Sequence, residues 1–278
     1  SPQMITQAED ILNQFSNDPL KDNSLLEQLF ALLPRKMKNV ADYLLPADAD
    51  PEQIQNVIDR ETDLLRMMET QMQALPSNDS KEKTLLEEWN LSITPVNNEK
   101  ELWQIKRHMG HSADCFSKAF RVKNSNRDNA FWNYYDKHNY HKEDIHYWYH
   151  GSRNMNCLSI LHNGLILNPK APKVGHMFGY GIYLAPKAKK SIGYTSLNGS
   201  FWVHGTSDKA YLFVMKTVYK SPYHVYTWTS GMKSLTKSRI SPHDAVFAHA
   251  GTSLRNDEVV IFDDAQVTLQ YIIELKQQ

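Results

Sequence analysis

The chain holds only two cysteines, Cys115 and Cys157, so no disulfide framework staples it, which fits a reducing compartment. It also lacks any apolar run near the length that spans a bilayer. Neither sign of charge is in excess, because Lys+Arg and Asp+Glu both total 31. That balance removes the general basic field with which a protein draws in nucleic acid. Several signatures of phosphate and nucleophile chemistry are missing too. There is no G-x-x-x-x-G-K-[ST] loop, no G-x-S-x-G elbow and no Cys-x-x-Cys pair. The G-x-G of "FGYGIY" has no third glycine and no clear βαβ unit around it, which argues against a dinucleotide fingerprint. What remains, 41% hydrophobic and 22% charged, is an ordinary globular composition, long enough for one large domain or two modest ones. The start, "SPQMITQAED", is acidic and polar, unlike a signal peptide, and leaves room for domains upstream.

The first part of the chain reads as helices. "MITQAEDILNQF" places Ile5, Ala8, Ile11, Leu12 and Phe15 on one face. "SLLEQLFALLP" has Ser24 and Glu27 at capping-box spacing and stops at Pro34. A third helix opens with Asp50 as N-cap and Pro51 at the first helical position. Its stripe of Ile54, Val57, Ile58, Leu65, Met68, Met72 and Leu75 reads as core rather than as a groove. The polar stretch Pro76 to Thr84 reads as a linker.

Beyond it, "ELWQIKRHMGHSADCFSKAF" reads as one helix. From about Ile145 the punctuation by glycine and proline turns strand-like. "KAYLFVMKTVYK", "DEVVIFDD" and "QVTLQYIIELK" are strands by their β-branched and aromatic content. Helices early and strands late predict an α+β domain rather than a regular βαβ array.

Histidines crowd two places: His138, His141, His146 and His150, and then His108 and His111 beside Cys115. These residue types hold zinc, but the spacings match no common zinc signature, and surface or core roles explain them more simply. The stretch "HMFGYGIYLAPKAKKSIGYT" is more pointed. Glycines beside Tyr180 suggest a backbone that another group approaches closely, and a flat ligand between tyrosine faces is one candidate. A Tyr-rich hairpin with no ligand is the plain alternative. "HYWYHGSRNMNCLSILHNGL" reads as a strand ending in His150-Gly151-Ser152-Arg153, then a helix closed by Gly164.

Taken in order, "HGSR", "MFGYGIYLA" with "KSIGY", and "NDEVVIFD" resemble the catalytic domain of the poly(ADP-ribose) polymerases. The resemblance runs from about residue 85 to the end, and more weakly into the earlier helices. It implies a mainly antiparallel split β-sheet ADP-ribosyltransferase domain over residues 85–278. A small all-α, regulatory-like domain over residues 1–84 precedes it. The family's His-Tyr-Glu triad carries over as His150, Tyr183 and Glu258. By the same resemblance His150 bonds a ribose hydroxyl of NAD, and Gly151 offers its backbone to the nicotinamide amide. Ser191 adds a hydroxyl to that amide, and Tyr183 and Tyr194 wall the ring. Ser152 and Asn156 match positions near the adenosine ribose, and Lys190 matches a lysine beside the site. "LILNPKAPKVGH" matches the loop that covers the donor. The pattern departs at Ile166, where relatives often carry an arginine toward the adenine. It departs again at Asn256-Asp257, where an added carboxylate next to Glu258 bears on acceptor preference.

The activity so implied is NAD-dependent ADP-ribosylation of proteins with release of nicotinamide, and the glutamate favours chain elongation. A single transfer is the alternative within enzymes. An inactive NAD- or ADP-ribose-binding module is the alternative outside them, against which the intact triad argues. NAD enters as substrate, and the implied chemistry needs no metal. Protein acceptors, growing ADP-ribose chains and nicotinamide-like inhibitors are the implied partners, with no membrane. DNA is expected only through domains outside this chain. The setting implied is intracellular: nuclear and in the DNA damage response for a eukaryote, cytoplasmic for a bacterium.

Overall fold

The computed structural model describes residues 2–19, 23–33, 35–74, 83–167 and 176–277. Contacts divide the chain into two compact units. The first packs three helices, α1 (Pro2–Asn17), α2 (Ser24–Leu32) and α3 (Pro51–Gln73). Their apolar stripes meet: Ile5, Ala8, Leu12 and Phe15 bury against Leu26, Leu29, Val57, Ile58 and Leu65, with Ile54, Met68 and Met72 partly covered. The stripe on α3 is therefore core, at each of its described positions. α3 starts as its sequence predicts, with a reciprocal capping box between Asp50 and Gln53 behind Pro51. α2 differs. Ser24 is its first helical residue, not its cap, and Asn23 precedes it without a capping bond. The Asn23 side chain instead donates to Leu45 O at 2.8 Å and accepts from Leu45 N at 3.0 Å. It ties the incoming chain to a later loop. The expected stop at Pro34 and all but the end of the expected linker lie outside the described residues.

The second unit carries six more helices and nine strands among the described residues. In order they are α4 (Leu85–Glu88), β1 (Leu91–Pro95), α5 (Glu99–Met109), β2 (Phe116–Asn124) and α6 (Ser125–Lys137). β3 (Ile145–Gly151), α7 (Cys157–Asn163), β4 (Ile182–Leu184), α8 (Ala188–Ile192) and β5 (Lys209–Val218) follow. β6 (Pro222–Val225), α9 (Lys237–Ile240), β7 (Ala245–Ala248), β8 (Glu258–Ile261) and β9 (Val267–Lys276) complete it. One sheet has the order β1-β2-β9-β5-β3 and the other β4-β8-β7-β6. All pairings are antiparallel except β6 with β7. The fold is α+β, as the late gathering of strands predicts.

The expected helix across residues 101–120 is a helix only as far as Met109. Gly110 follows with φ of 59°, a left-handed backbone that ends α5. A 3-10 turn, Gly110–Cys115, then leads into β2. Helical and strand patterns are indistinguishable over so short an apolar stretch, and pairing with β9 decides it. The centre of the larger sheet carries an apolar core: Leu212, Phe213 and Met215 of β5 and Ile273 and Leu275 of β9 are all completely buried. Each such side chain contributes roughly 1.5–3 kcal/mol.

β3 and β4 are the facing edges of the two sheets. Tyr149 and Ala185 clasp them through reciprocal main-chain bonds, both 2.9 Å. His150 of β3 and Tyr183 of β4, both singled out by sequence, lie at that seam.

Candidate active site

Strand alternation sets the first side chain. Tyr149 faces one side of β3, where its hydroxyl meets His108 Nδ1 of α5 at 2.6 Å. His150 therefore faces the other. Its Nδ1 lies 3.1 Å from the backbone oxygen of Tyr183 on β4. A carbonyl only accepts, so Nδ1 carries the proton, and in the neutral ring Nε2 is the acceptor nitrogen. The clasp between the sheets thus brings His150 to Tyr183 and fixes the tautomer.

Tyr183 is anchored at its tip. Its hydroxyl donates to Gly179 O at 2.6 Å and accepts from the Phe178 N–H at 3.0 Å. Burial pushes the phenol well above its ordinary range; the Phe178 bond works against that, and the charge of Glu258 adds to it. The hydroxyl therefore stays protonated. The glycines here correct an expectation. A Cβ on Gly179, whose φ is 80°, would stand 2.0 Å from Leu235 O. One on Gly181 would stand 2.4 Å from a Val260 methyl and 2.8 Å from Ile261 O. The group that approaches this backbone is the protein itself.

Gly151 is held in the same way. A Cβ there would lie 1.7 Å from the carbonyl oxygen of Ser191, which is backbone and has nowhere to go. The missing side chain lets the end of β3 lie against α8, and buried Ser191 comes with it. Tyr194 does not share the helix that carries Ser191. The helix stops at Ile192, and Tyr194 instead donates its N–H back to Ser191 O at 3.0 Å in the turn beyond. The residue is 38% exposed, and its ring stacks on Trp202, with centroids 5.8 Å apart and planes 19° apart. Phe201 meets Trp202 edge-on at 4.6 Å, and the Arg255 guanidinium lies 5.6 Å from the Phe201 ring.

Glu258 opens β8, opposite Ala248 of β7. Lys190 of α8 reaches its Oε1 at 2.8 Å, and the two side chains are only 11% and 12% exposed. Sequence placed Lys190 beside the site but assigned it no partner. The ion pair and the Trp202 backing of Tyr194 are what sequence reasoning missed. The pair joins residues far apart in the chain. For the backing, the adjacent Phe201-Trp202 in a glycine-flanked loop was the available signal. Asp257, next to Glu258, has a partner of its own. Its Oδ1 accepts from the Ala250 N–H at 2.7 Å, so this carboxylate closes the turn between β7 and β8. Ser152 and Asn156 meet each other, Asn156 Nδ2 donating to Ser152 Oγ at 2.7 Å. Asn156 Oδ1 is buried and accepts no hydrogen bond from any described residue. A ligand hydroxyl is the kind of donor that fits it. Ile166 is 42% exposed. Most of the expected donor-covering loop lies outside the described residues.

The crowded histidines are dispersed. His138 stacks on Tyr134 at 4.0 Å, His146 on Tyr219 at 4.3 Å, and Cys115 Sγ donates to Ser112 O at 3.1 Å. No group of three or more His, Cys, Asp and Glu suited to a metal occurs among the described residues.

A histidine with a fixed tautomer, an anchored tyrosine and a lysine-held glutamate meet where two sheets touch. The family model described as the poly(ADP-ribose) polymerase catalytic domain matches residues 99–277. The chain belongs to this family. The family's members are ADP-ribosyltransferases that use NAD. Relatives include "Poly [ADP-ribose] polymerase" of Drosophila melanogaster, 31% identical over 46% of this chain and 15% of the relative. "Poly [ADP-ribose] polymerase 2" of Arabidopsis thaliana is 25% identical over 67% of this chain and 33% of its own length. "Poly [ADP-ribose] polymerase 1" of Gallus gallus is 31% identical over 46% of this chain and 14% of its own. The chain thus aligns with a third or less of each of these polymerases. No helix among the described residues is long and apolar enough to cross a membrane.

Proposed function

We propose that the chain transfers ADP-ribose from NAD to protein acceptors and then to the growing ADP-ribose chain, with Glu258 as the group that makes the transfer possible. The observation that carries this reading is the Lys190–Glu258 pair, which holds a nearly buried carboxylate in a fixed place against an ammonium. In the reaction the bond between nicotinamide and the ribose C1′ breaks, and its electron pair leaves with nicotinamide. Positive charge develops on the ribose. Glu258 stabilises that charge and holds the ribose hydroxyl beside it. The acceptor oxygen bonds to C1′ and gives its proton to the carboxylate. His150 accepts a ribose hydroxyl at Nε2, and Asn156 Oδ1 takes a hydroxyl at the adenosine end, with Ser152 beside it. Gly151, Ser191, Tyr183 and Tyr194 hold the nicotinamide ring and amide, so the leaving group departs in one geometry.

Residues 1–84 act in this reading as a regulatory-like domain over a catalytic domain of residues 85–278. The relatives come from eukaryotes, and an intracellular, nuclear role in the DNA damage response goes with them. DNA contact belongs to domains outside this chain. Incubation with labelled NAD, followed by a denaturing gel, tests the reading. A ladder supports elongation and one shifted band single transfer. Free ADP-ribose alone indicates hydrolysis, and no label release makes the chain a binding module.

A further inference from the structure

The four-stranded sheet carries a second cluster of titratable side chains, and it lies on the far face from Glu258. Paired residues on neighbouring strands point the same way, so Ala248 and Glu258 share a face. His249, the next residue, points to the other. There it meets His224 of the edge strand β6, with His224 Nδ1 2.8 Å from His249 Nε2. The rings are held from several sides. The His249 N–H donates to Val225 O at 2.8 Å, which fixes its register against β6. Tyr226 stacks on His249 with centroids 4.4 Å and planes 3° apart, and Phe247 closes in at 4.7 Å. His224 itself is exposed to solvent.

We propose that His224 and His249 form a binding site for a divalent transition-metal ion of the borderline class, with Zn²⁺ the best fit. Two imidazole nitrogens facing each other are the donors such ions take in preference to Mg²⁺ or Ca²⁺, which need oxygen. Two nitrogens on one tetrahedral Zn²⁺, each about 2.0–2.1 Å from it, stand roughly 3.3 Å apart. The observed 2.8 Å needs only a small side-chain rotation to match. The stacked rings and the backbone bond pre-position the ligands, so little ordering remains for the ion to impose. Water fills the remaining positions. The ion clamps the edge strand to its neighbour and leaves the NAD site on the other face untouched. The residues are twenty-five positions apart in sequence, a spacing no zinc signature contains.

Zn²⁺ titrated into tag-free protein by calorimetry tests this, with benzamide binding measured alongside. The expected result is one site per chain that weakens at least tenfold in both His224→Gln and His249→Gln, with benzamide binding unchanged. In the unaltered protein, Zn²⁺ is expected to protect His224 and His249 from diethyl pyrocarbonate, a readout that needs no variant to fold. Absence of Zn²⁺ binding, binding undiminished in both variants, or protection confined to other histidines would overturn the proposal. None of these outcomes depends on whether the chain transfers ADP-ribose.

Discussion

Glu258→Gln separates the carboxylate's charge from its shape. At 2.8 Å, and with an effective dielectric of about 20, the Lys190–Glu258 attraction is about 6 kcal/mol before desolvation. Desolvation of two nearly buried charges offsets most of it. Glutamine keeps an oxygen within reach of the ammonium, so a hydrogen bond persists and only its ionic part is lost. The expected loss of stability is about 1–2 kcal/mol. That is a fall in Tm of roughly 2–4 °C per kcal/mol for a domain of this size. Glu258→Ala is the harsher control, because it strands a nearly buried cation at about 3–5 kcal/mol. Activity responds on another scale. Losing one preorganised electrostatic contact to the developing charge reduces the rate by about a hundredfold or more. Chain formation from labelled NAD measures the rate, and thermal shift with benzamide measures the nicotinamide end. The glutamine variant is expected to bind benzamide nearly as the parent does and to build no chains. Chain formation within a few-fold of the parent would refute the role given to Glu258. Loss of benzamide binding in step with activity would show that the defect is structural instead.

Saturating benzamide, at about a hundred times its Kd, is expected to stabilise the protein by roughly 2.7 kcal/mol. Trp202→Ala should reduce that shift by releasing Tyr194 from its stack, and an unchanged shift would show that Tyr194 holds its place unaided. Gly151→Ala drives a Cβ into the Ser191 carbonyl, so melting should reveal a loss of about 1–3 kcal/mol or more; a parental Tm would contradict the packing. Removal of residues 1–84 is expected to leave a folded catalytic part with equal or higher basal turnover, and an insoluble product would show that the apolar helices share its core. Burial lowers the His108 imidazole below its ordinary 6.5. The folded chain then binds fewer protons than the unfolded one below about pH 6.5, and stability falls as pH falls through the folded value. His108→Gln should flatten that acid limb in urea titrations, whereas a limb parallel to the parent's would rule His108 out as its source.

Local signals were the legible ones. Asp50 and Pro51 announce α3, and Gly164, with φ of 71°, closes α7 where the glycine stands. His150 and Tyr183 come together because β3 meets β4 at the seam, and Glu258 stands close enough to Tyr183 for its charge to act there because β8 pairs with β4. Partnerships at long range were not legible. Lys190 and Glu258 attract only once α8 and β8 are folded, and His224 and His249 meet only through the register of β6 on β7. Gly179 and Gly181 misled for the same reason. Sequence shows that a backbone must be approached, but only the fold shows by what. The segment after Gly110 misled in a different way, since a few apolar residues satisfy a helix and a strand alike and the partner strand chooses.

The order of the larger sheet has a consequence during synthesis. β9 lies between β2 and β5, yet it leaves the ribosome after both, and after Glu258 as well. A nascent chain that has delivered β8 possesses every proposed catalytic side chain. It still lacks the strand that unites β1 and β2 with β5 and β3, and so the sheet on whose edge His150 stands is incomplete. Pairings so distant in sequence form slowly and late. In the proposed reading, turnover waits for the closing strand to insert, so polypeptides that stop short of β9 are expected to be inert toward NAD.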